Sequence, residues 1–213
     1  MSASPSIIAR QTRRLAALLL VLTTAAPVAR AQGAGMEVYV GQYSPTQDLF
    51  QVTRAGEAGT FRLNSGSSKG GVVALDLNQR VGLRVSGGEV ETALAFTPSG
   101  SGRAWETPAV LRHASVQGAL GLTRGGRMAQ PYVSLGISYA QRKGEAFEGQ
   151  TRPTSYGMAL GAGLRVRVSA LAMSMGVEVL DYSATYDVVG RPPRDFIQRD
   201  VLLRLGGGVA VGR

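Results

Sequence analysis

A long run of alternating residues, from position 156 to 179, places the strongest constraint on what this chain can fold into. Every second residue is apolar, and the phase changes only at Ser169 and Ala170. Alternation with a period of two predicts β-strands, and a two-residue turn at Ser169 and Ala170 predicts a hairpin in which Val168 faces Leu171. All the apolar side chains then share one face. They are Met158, Leu160, Ala162, Leu164, Val166 and Val168, followed by Leu171, Met173, Met175, Val177 and Val179.

The strands of this hairpin are about a dozen residues long, roughly twice the usual length in soluble sheets. The second face carries glycine, alanine and serine together with Arg165, Arg167 and Glu178. A membrane barrel turns its apolar face to lipid and fills a narrow interior with small and charged groups. A soluble sandwich or a lipocalin-like barrel instead buries its apolar face. The small and charged second face therefore favours the membrane barrel over a long hairpin in a soluble protein.

The rest of the chain predicts six more strands. We expect strands at residues 37–43, 73–85, 90–96, 109–122, 132–142, 156–168, 171–179 and 196–211. Short connections at Gly87-Gly88, at 123–127 and at Ser169-Ala170 alternate with longer ones at 44–70 (with a short extended piece at 60–63), 97–106, 143–154 and 185–194. This pattern predicts an all-β fold: an eight-stranded antiparallel up-and-down transmembrane β-barrel with short periplasmic turns and longer outer loops.

The N-terminal segment has the features of an export signal. Arg10, Arg13 and Arg14 precede an apolar run at 15–22, and Ala29-Arg30-Ala31 supplies a cleavage site. The run is short for the alternative, an uncleaved inner-membrane anchor, and no later stretch reaches the roughly 18 apolar residues of a membrane helix. We therefore expect a signal peptide at residues 1–31 and a barrel domain at 32–213.

Composition excludes several classes of site. The chain has no cysteine, which rules out disulfides, thiolate metal sites and a cysteine nucleophile. Its acidic residues are scattered, so we expect neither a metal nor a cofactor. The formal net charge is +9, or +5 without the four arginines of residues 1–31, and the remaining basic residues are spread along alternating strands. In an exported chain this charge favours contact with outer-membrane lipid and lipopolysaccharide over nucleic acid. We expect a monomer.

Four segments carry a resemblance to a known group. They are residues 38–41 (Val-Tyr-Val-Gly), residues 130–136 (Gln-Pro-Tyr-Val-Ser-Leu-Gly), residues 157–164 and the glycine-rich final strand. The chain resembles small eight-stranded outer-membrane β-barrels of the outer-membrane protein A-like, or outer membrane protein β-barrel domain, group. The resemblance implies residence in the outer membrane of a Gram-negative bacterium and insertion by the outer-membrane assembly machinery. This chain departs from the group at its last residues, which are Gly212-Arg213 where such barrels commonly carry an aromatic residue.

Charged residues on the second face are predicted to fill the barrel. An eight-stranded barrel is just wide enough to be filled by side chains, and buried charges are tolerated when they are paired. The turn at Gly87-Gly88 would make Arg84 and Glu91 cross-strand neighbours. The sequence thus predicts a salt-bridged plug, and the alternative is a narrow pore for ions or small solutes. The predicted interior charges are Asp76, Arg80, Arg84, Glu89, Glu91, Arg165, Arg167, Glu178 and Arg204.

One pair of residues hints at catalysis. His113 and Ser115 are two apart on a predicted strand, so they share a face on which a histidine could activate a serine. Eight-stranded lipid A deacylases use a similar His-x-Ser pair, but Val116 stands where they have asparagine, and the pair falls on the predicted inner face. A lipid A-modifying hydrolase is therefore the remote alternative. We expect no enzyme, but an integral barrel with a structural or surface-interaction role.

Overall fold

The computed structural model describes residues 33–54, 57–100, 102–123, 128–148, 150, 152–186 and 194–212. The predicted signal peptide, most of the predicted turn at 123–127 and most of the loop at 185–194 lie outside these residues. The described strands are β1 (Gly33–Pro45), β2 (Phe50–Arg54), β3 (Glu57–Leu63), β4 (Gly66–Asp76), β5 (Val81–Pro98), β6 (Trp105–Gly121), β7 (Ala129–Lys143), β8 (Thr154–Val168), β9 (Leu171–Tyr186) and β10 (Arg194–Gly212). A short 3₁₀ helix, Glu145–Phe147, follows β7. No helix within the described ranges is long and apolar enough to cross a membrane.

Eight of these strands close into an antiparallel ring. The order is β4-β1-β10-β9-β8-β7-β6-β5, and β5 returns to β4. The first and last strands of the ring, β1 and β10, pair along their length from Gly33 with Gly212 to Pro45 with Asp200. The hairpin β2–β3 pairs with the last residues of β5, beyond the start of β4. The predicted fold class, an eight-stranded up-and-down barrel, is confirmed.

The long hairpin adopts the predicted register. Val168 pairs with Leu171, Val166 with Met173 and Leu164 with Met175. Ser169 has a φ of 56°, the left-handed backbone conformation that a two-residue hairpin turn uses at its first central position. Local alternation and turn length were sufficient to specify these two strands.

The predicted turn at Gly87-Gly88 is wrong. Strand β5 runs without a break from Val81 to Pro98, through both glycines. The chain reverses instead at residues 77–80, where the Asn78 side chain accepts hydrogen bonds of 2.8 Å from the backbone N–H groups of Arg80 and Val81. Two of the eight predicted strands were therefore misplaced, because the segments 81–85 and 90–96 both belong to β5.

Part of the predicted loop at 44–70 is also strand. It contains β2, β3 and the first residues of β4. Gly70, one of the glycines that predict a loop there, is small because the backbone of β5 and Tyr39 lie against it: a Cβ would collide with the Gly87 carbonyl oxygen and would stand 2.5 Å from the Tyr39 hydroxyl oxygen. At this position a small residue makes room for a neighbouring side chain inside the barrel.

The same tyrosine explains Gly88. A Cβ at Gly88 would collide with the Tyr39 hydroxyl and with the Lys69 carbonyl oxygen, and would lie 3.1 Å from Cε1 of His113. At Gly87 the nearest atom to such a Cβ is the His113 carbonyl oxygen, at 3.7 Å, which is ordinary contact. Packing therefore requires a glycine at position 88 but not at position 87.

We expect Gly88→Ala to destabilise the folded barrel by about 1–3 kcal/mol, because the added methyl group overpacks the interior. Gly87→Ala is the matched control, and we expect it to be neutral or slightly stabilising, since alanine restricts the unfolded chain more than glycine does. Urea titration followed by the gel mobility of unheated samples would measure both. Equal losses of stability in the two variants would contradict the assignment of Gly88 to the inner face.

The outer surface of the ring is a continuous apolar belt. On β10 its outward positions run from Val201 to Val211, about 33 Å along the strand at about 3.3 Å per residue. At a tilt of about 40° this corresponds to about 25 Å across the membrane, the height of the apolar band of outer-membrane barrels. Exposed members of the belt include Met36, Val38, Val40, Leu120, Leu135, Ile137, Leu160, Met173, Met175, Leu205 and Val209.

A ring of charged side chains ends this belt on one side. We call these residues the polar ring. Each points outward at the position that follows the last outward position of the belt on its strand, and most form ion pairs. Arg112 Nε lies 2.8 Å from Glu89 Oε2, and Arg199 Nη2 lies 2.6 Å from Asp181 Oδ2. Lys69 pairs with Glu91, one step further along β5. Charges at the headgroup level mark where lipid ends, so the strand segments beyond them project from the membrane. The polar ring consists of Lys69, Glu89, Arg112, Asp181 and Arg199.

The barrel has two distinct ends. The turn end holds Gly33, Gly212 and the short turns at 77–80 and 169–170, and the loop end holds the longer connections and the β2–β3 hairpin. The loop-end half of the interior is filled by a buried apolar cluster, which we call the apolar plug. Its fully buried members are Tyr43, Leu63, Val90, Leu111, Ala159, Leu180, Ala184 and Leu202.

Candidate functional site

Charged residues converge inside the other half of the barrel. We call this set the interior charge cluster, and it draws on six different strands of the ring. Each member occupies an inward position of its strand, so the alternation that builds the lipid belt also builds the cluster. The members are Glu37, Asp76, Arg84, Arg165, Arg167, Glu178 and Arg204.

Asp76 joins two arginines near the turn end. Its Oδ1 lies 3.2 Å from Arg165 Nη1, and its Oδ2 lies 3.2 Å from Arg167 Nη2. Arg165 also reaches Glu37, with 3.5 Å between Nε and Oε1, and Glu37 accepts a hydrogen bond from the hydroxyl of Ser174. Two carboxylates thus hold two guanidinium groups in one connected network across β1, β4 and β8.

Glu178 is the centre of a second network, deeper in the barrel. It is 2 % exposed and forms an ion pair with Arg204. Its Oε1 accepts a hydrogen bond of 2.7 Å from the Ser115 hydroxyl and another from the Gln117 amide. The network continues to Ser86, whose hydroxyl lies 2.8 Å from that of Ser115. A buried charge needs this number of partners, because each unmet hydrogen bond would add to the cost of desolvation.

Two aromatic rings complete the cluster. The Arg84 guanidinium lies over the Tyr132 ring, 4.4 Å from its centroid, and the Arg204 guanidinium lies over the Tyr39 ring at 4.9 Å. Arg84 is 8 % exposed and makes no ion pair with any residue in the described part of the chain. The ring faces supply part of the electrostatic stabilisation that a carboxylate would otherwise provide.

Three of the nine predicted interior charges lie elsewhere. Arg80 is exposed in the turn at 77–80, and Glu89 and Glu91 point outward in ion pairs with Arg112 and Lys69. The predicted pairing of Arg84 with Glu91 is wrong: Arg84 lies opposite Ala74 and Gln117, and Glu91 lies opposite Ser67 and Val110. A two-residue turn would have changed the phase of alternation, whereas the continuous strand keeps Arg84 and Glu91 on opposite faces.

The structure brings together the other six, which are Asp76, Arg84, Arg165, Arg167, Glu178 and Arg204. Sequence reasoning missed Glu37, Tyr39 and Tyr132 as partners. The signal for Glu37 and Tyr39 was present, because they alternate with the apolar Val38 and Val40 along the predicted strand 37–43.

His113 and Ser115 are both buried inside the barrel. The His113 Nε2 atom lies 2.9 Å from the Tyr39 hydroxyl, while Ser115 donates to Glu178. The serine and the histidine thus bond to different partners inside the barrel, away from the lipid face. This arrangement does not support the lipid A hydrolase alternative. In the described segments, no group of three or more histidine, aspartate or glutamate residues could hold a metal ion.

The described residues form one cavity inside the barrel and a larger concavity on its outer wall. A cavity of about 20 Å³ lies within the charge cluster, lined by residues that include Arg84, Arg204, Tyr39, Tyr132 and Ser134. A larger concavity of about 570 Å³ lies on the outer wall, where Leu120, Val133, Leu135, Leu160 and Val177 face lipid.

The comparisons with known proteins agree with this architecture. The family model described as outer membrane protein beta-barrel domain matches residues 15–195, and the chain belongs to this family. It is therefore an outer-membrane β-barrel. No curated protein sequence matches the chain significantly.

Solved structures show the same fold. The outer membrane protein OprG of Pseudomonas aeruginosa is 12 % identical, with a TM-score of 0.66 over 86 % of this chain and 97 % of that one. The outer membrane protein AlkL, solved in DMPC bilayers, is 15 % identical, with a TM-score of 0.54 over 85 % and 92 % of the two chains. The N-terminal β-barrel domain of Pseudomonas aeruginosa OprF is 15 % identical, with a TM-score of 0.50 over 84 % and 98 %. At these identities the likeness shows the fold alone.

Proposed function

We propose that this chain is a non-enzymatic integral outer-membrane barrel with a closed interior, whose role is structural or is exerted by the surface at its loop end. The observation that supports this most directly is the filling of the barrel in two layers. The interior charge cluster occupies the turn-end half, and the apolar plug occupies the loop-end half.

The two layers oppose permeation for different reasons. In the charge cluster, guanidinium groups and carboxylates are joined by ion pairs and hydrogen bonds, so an ion would have to break buried contacts to pass. In the apolar plug, Tyr43, Leu180 and Leu202 have no exposed surface, and an ion entering there would lose its hydration without replacement. Either layer alone would hinder conduction, and both lie in series along the barrel axis.

At the loop end the strands project beyond the polar ring. Strands β5 and β6 continue past the polar ring, and the β2–β3 hairpin extends this projecting sheet. Charged side chains at the lipid boundary, among them Lys69, Arg112 and Arg199, are suited to contact lipopolysaccharide headgroups. These features support a surface-interaction role. The surrounding lipid and lipopolysaccharide, with the outer-membrane assembly machinery during insertion, are the partners we propose for a monomeric barrel exported by a cleaved signal peptide.

Conductance in planar bilayers tests the closed interior. We expect reconstituted protein, shown to be folded by its gel mobility without heating, to produce no stepwise current in potassium chloride. A general porin reconstituted in the same way is the positive control. Regular unitary currents from the folded protein would contradict the proposal and favour the alternative, a narrow pore or transport protein for small solutes or ions.

A further inference from the structure

We propose that the barrel interior binds one small monoatomic anion of the chloride class, held beside Arg84 and Arg204. The inference concerns the excess of positive charge in the interior and is separate from the closed-barrel role, because a closed barrel could be filled without any ion.

The inward-facing charges do not balance. The charge cluster has four arginines and three carboxylates. Nearer the loop end, the buried Arg142 and Asp200 offset each other. With His113 counted as neutral, one cation remains in excess among the described inward residues. Burial of an uncompensated cation is costly, and a bound anion removes that cost.

The excess positive charge of the interior can be assigned to one residue. Arg165 and Arg167 share Asp76, and Arg204 pairs with Glu178, whereas Arg84 interacts with Tyr132 and forms no ion pair in the described residues. The Nη1 atom of Arg84 is buried without a hydrogen-bond partner in the described residues, and so is Nη1 of Arg204. Both side chains line the same internal cavity. Two guanidinium groups that line one internal cavity therefore each have a buried N–H group without a hydrogen-bond partner in the described residues.

The cavity selects the size and chemistry of the ligand. Its volume of about 20 Å³ exceeds the roughly 10–15 Å³ that a single water-sized particle needs. So small a free space favours a monoatomic ligand over a phosphate, a sulfate or an organic acid. The remaining lining includes the hydroxyl groups of Ser86, Ser134 and Tyr132, and the Glu178 carboxylate, which pairs with Arg204. A single halide matches this space, and unlike water it also supplies the missing negative charge.

Bromide can be located directly. We expect crystals of the wild-type barrel grown in sodium bromide to show an anomalous scattering peak inside the barrel, between the guanidinium groups of Arg84 and Arg204. Absence of a peak at that position at full protein occupancy would overturn the proposal. This measurement uses the unaltered chain, so it does not depend on whether a variant folds.

Stability provides the second test. Urea titrations are run at constant ionic strength, with sodium gluconate replaced stepwise by sodium chloride. When the site is nearly saturated with chloride, each tenfold rise in chloride raises the ratio of folded to unfolded protein tenfold. Gluconate is too large for the cavity. We expect Arg84→Met to abolish this dependence and Arg112→Met, which removes an exposed arginine of the polar ring, to retain it. The same chloride dependence in Arg84→Met, or none in the wild type, would contradict an anion beside Arg84.

Discussion

Replacement of Glu178 by glutamine should destabilise the folded barrel by about 3–5 kcal/mol, the cost of leaving one partner of a buried ion pair uncompensated. Glu178 forms the pair with Arg204 and accepts hydrogen bonds from Ser115 and Gln117. The glutamine keeps the shape of the side chain but removes its charge, and its amide group would face donors that already need an acceptor.

Urea titration with gel mobility of unheated samples would measure the loss. The double variant Glu178→Gln with Arg204→Met should cost less than the sum of the two single changes, because the second change removes the stranded cation. Asp181→Asn is the control: its pair with Arg199 is exposed, and such pairs contribute about 0–1 kcal/mol. Additive costs for Glu178 and Arg204 would mean that these residues do not interact in the folded protein.

Arginine in place of Met175 should cost about 2–4 kcal/mol, the penalty for this residue on the lipid face near the bilayer midplane. Met175 is 58 % exposed and occupies the middle of the outward apolar positions of β9, which run from Leu171 to Val179. It also lies opposite Leu164 and Leu205, so its surroundings on the belt are apolar.

The matched control for Met175→Arg is Ser183→Arg. Ser183 points outward on the same strand but lies past Asp181 of the polar ring, so we expect a change in stability near zero.

Spin labels at Leu83, Leu164, Met175 and Leu203 should be accessible to oxygen and shielded from a polar relaxation agent. The reverse accessibility would place the apolar face inside and indicate a soluble, lipocalin-like barrel.

The two short turns at residues 169–170 and 77–80 show how far local pattern can predict this fold. At Ser169 and Ala170 the alternation changes phase, so both the position and the length of the turn can be inferred. At residues 77–80 the flanking pairs are Asp76 with Gly82 and Leu75 with Leu83, so an odd number of residues separates paired positions and the apolar positions stay odd on both sides of the turn. The alternation thus conceals the turn. The visible signs were the polar Gln79 at an expected apolar position and Asn78, a residue favoured in turns.

How well the candidate site could be predicted also depended on whether the nearby turn changes the phase of the alternation. Arg165, Arg167 and Glu178 belong to the hairpin whose register could be inferred, and their inward placement was predicted with it. Glu89 and Glu91 were placed wrongly because a two-residue turn at Gly87 would have reversed their face. Gly88 is small to accommodate the Tyr39 side chain, which comes from a strand about fifty residues earlier in the chain. Long-range packing of this kind leaves no periodic signal that local patterns could reveal.

The pairing of β1 with β10 has a consequence for how the protein is made. The β1–β10 pairing closes the barrel and joins residues separated by nearly the full length of the described chain, such as Gly33 and Gly212. Contacts at such separations form slowly, because the entropy of closing the loop is lost before the contact contributes. During synthesis and export one edge of β1 therefore stays unpaired until β10 is available, and this edge is open to aggregation. A truncation that removes β10 should leave an unsealed and degradable sheet, and protection against proteolysis should appear in a single late step.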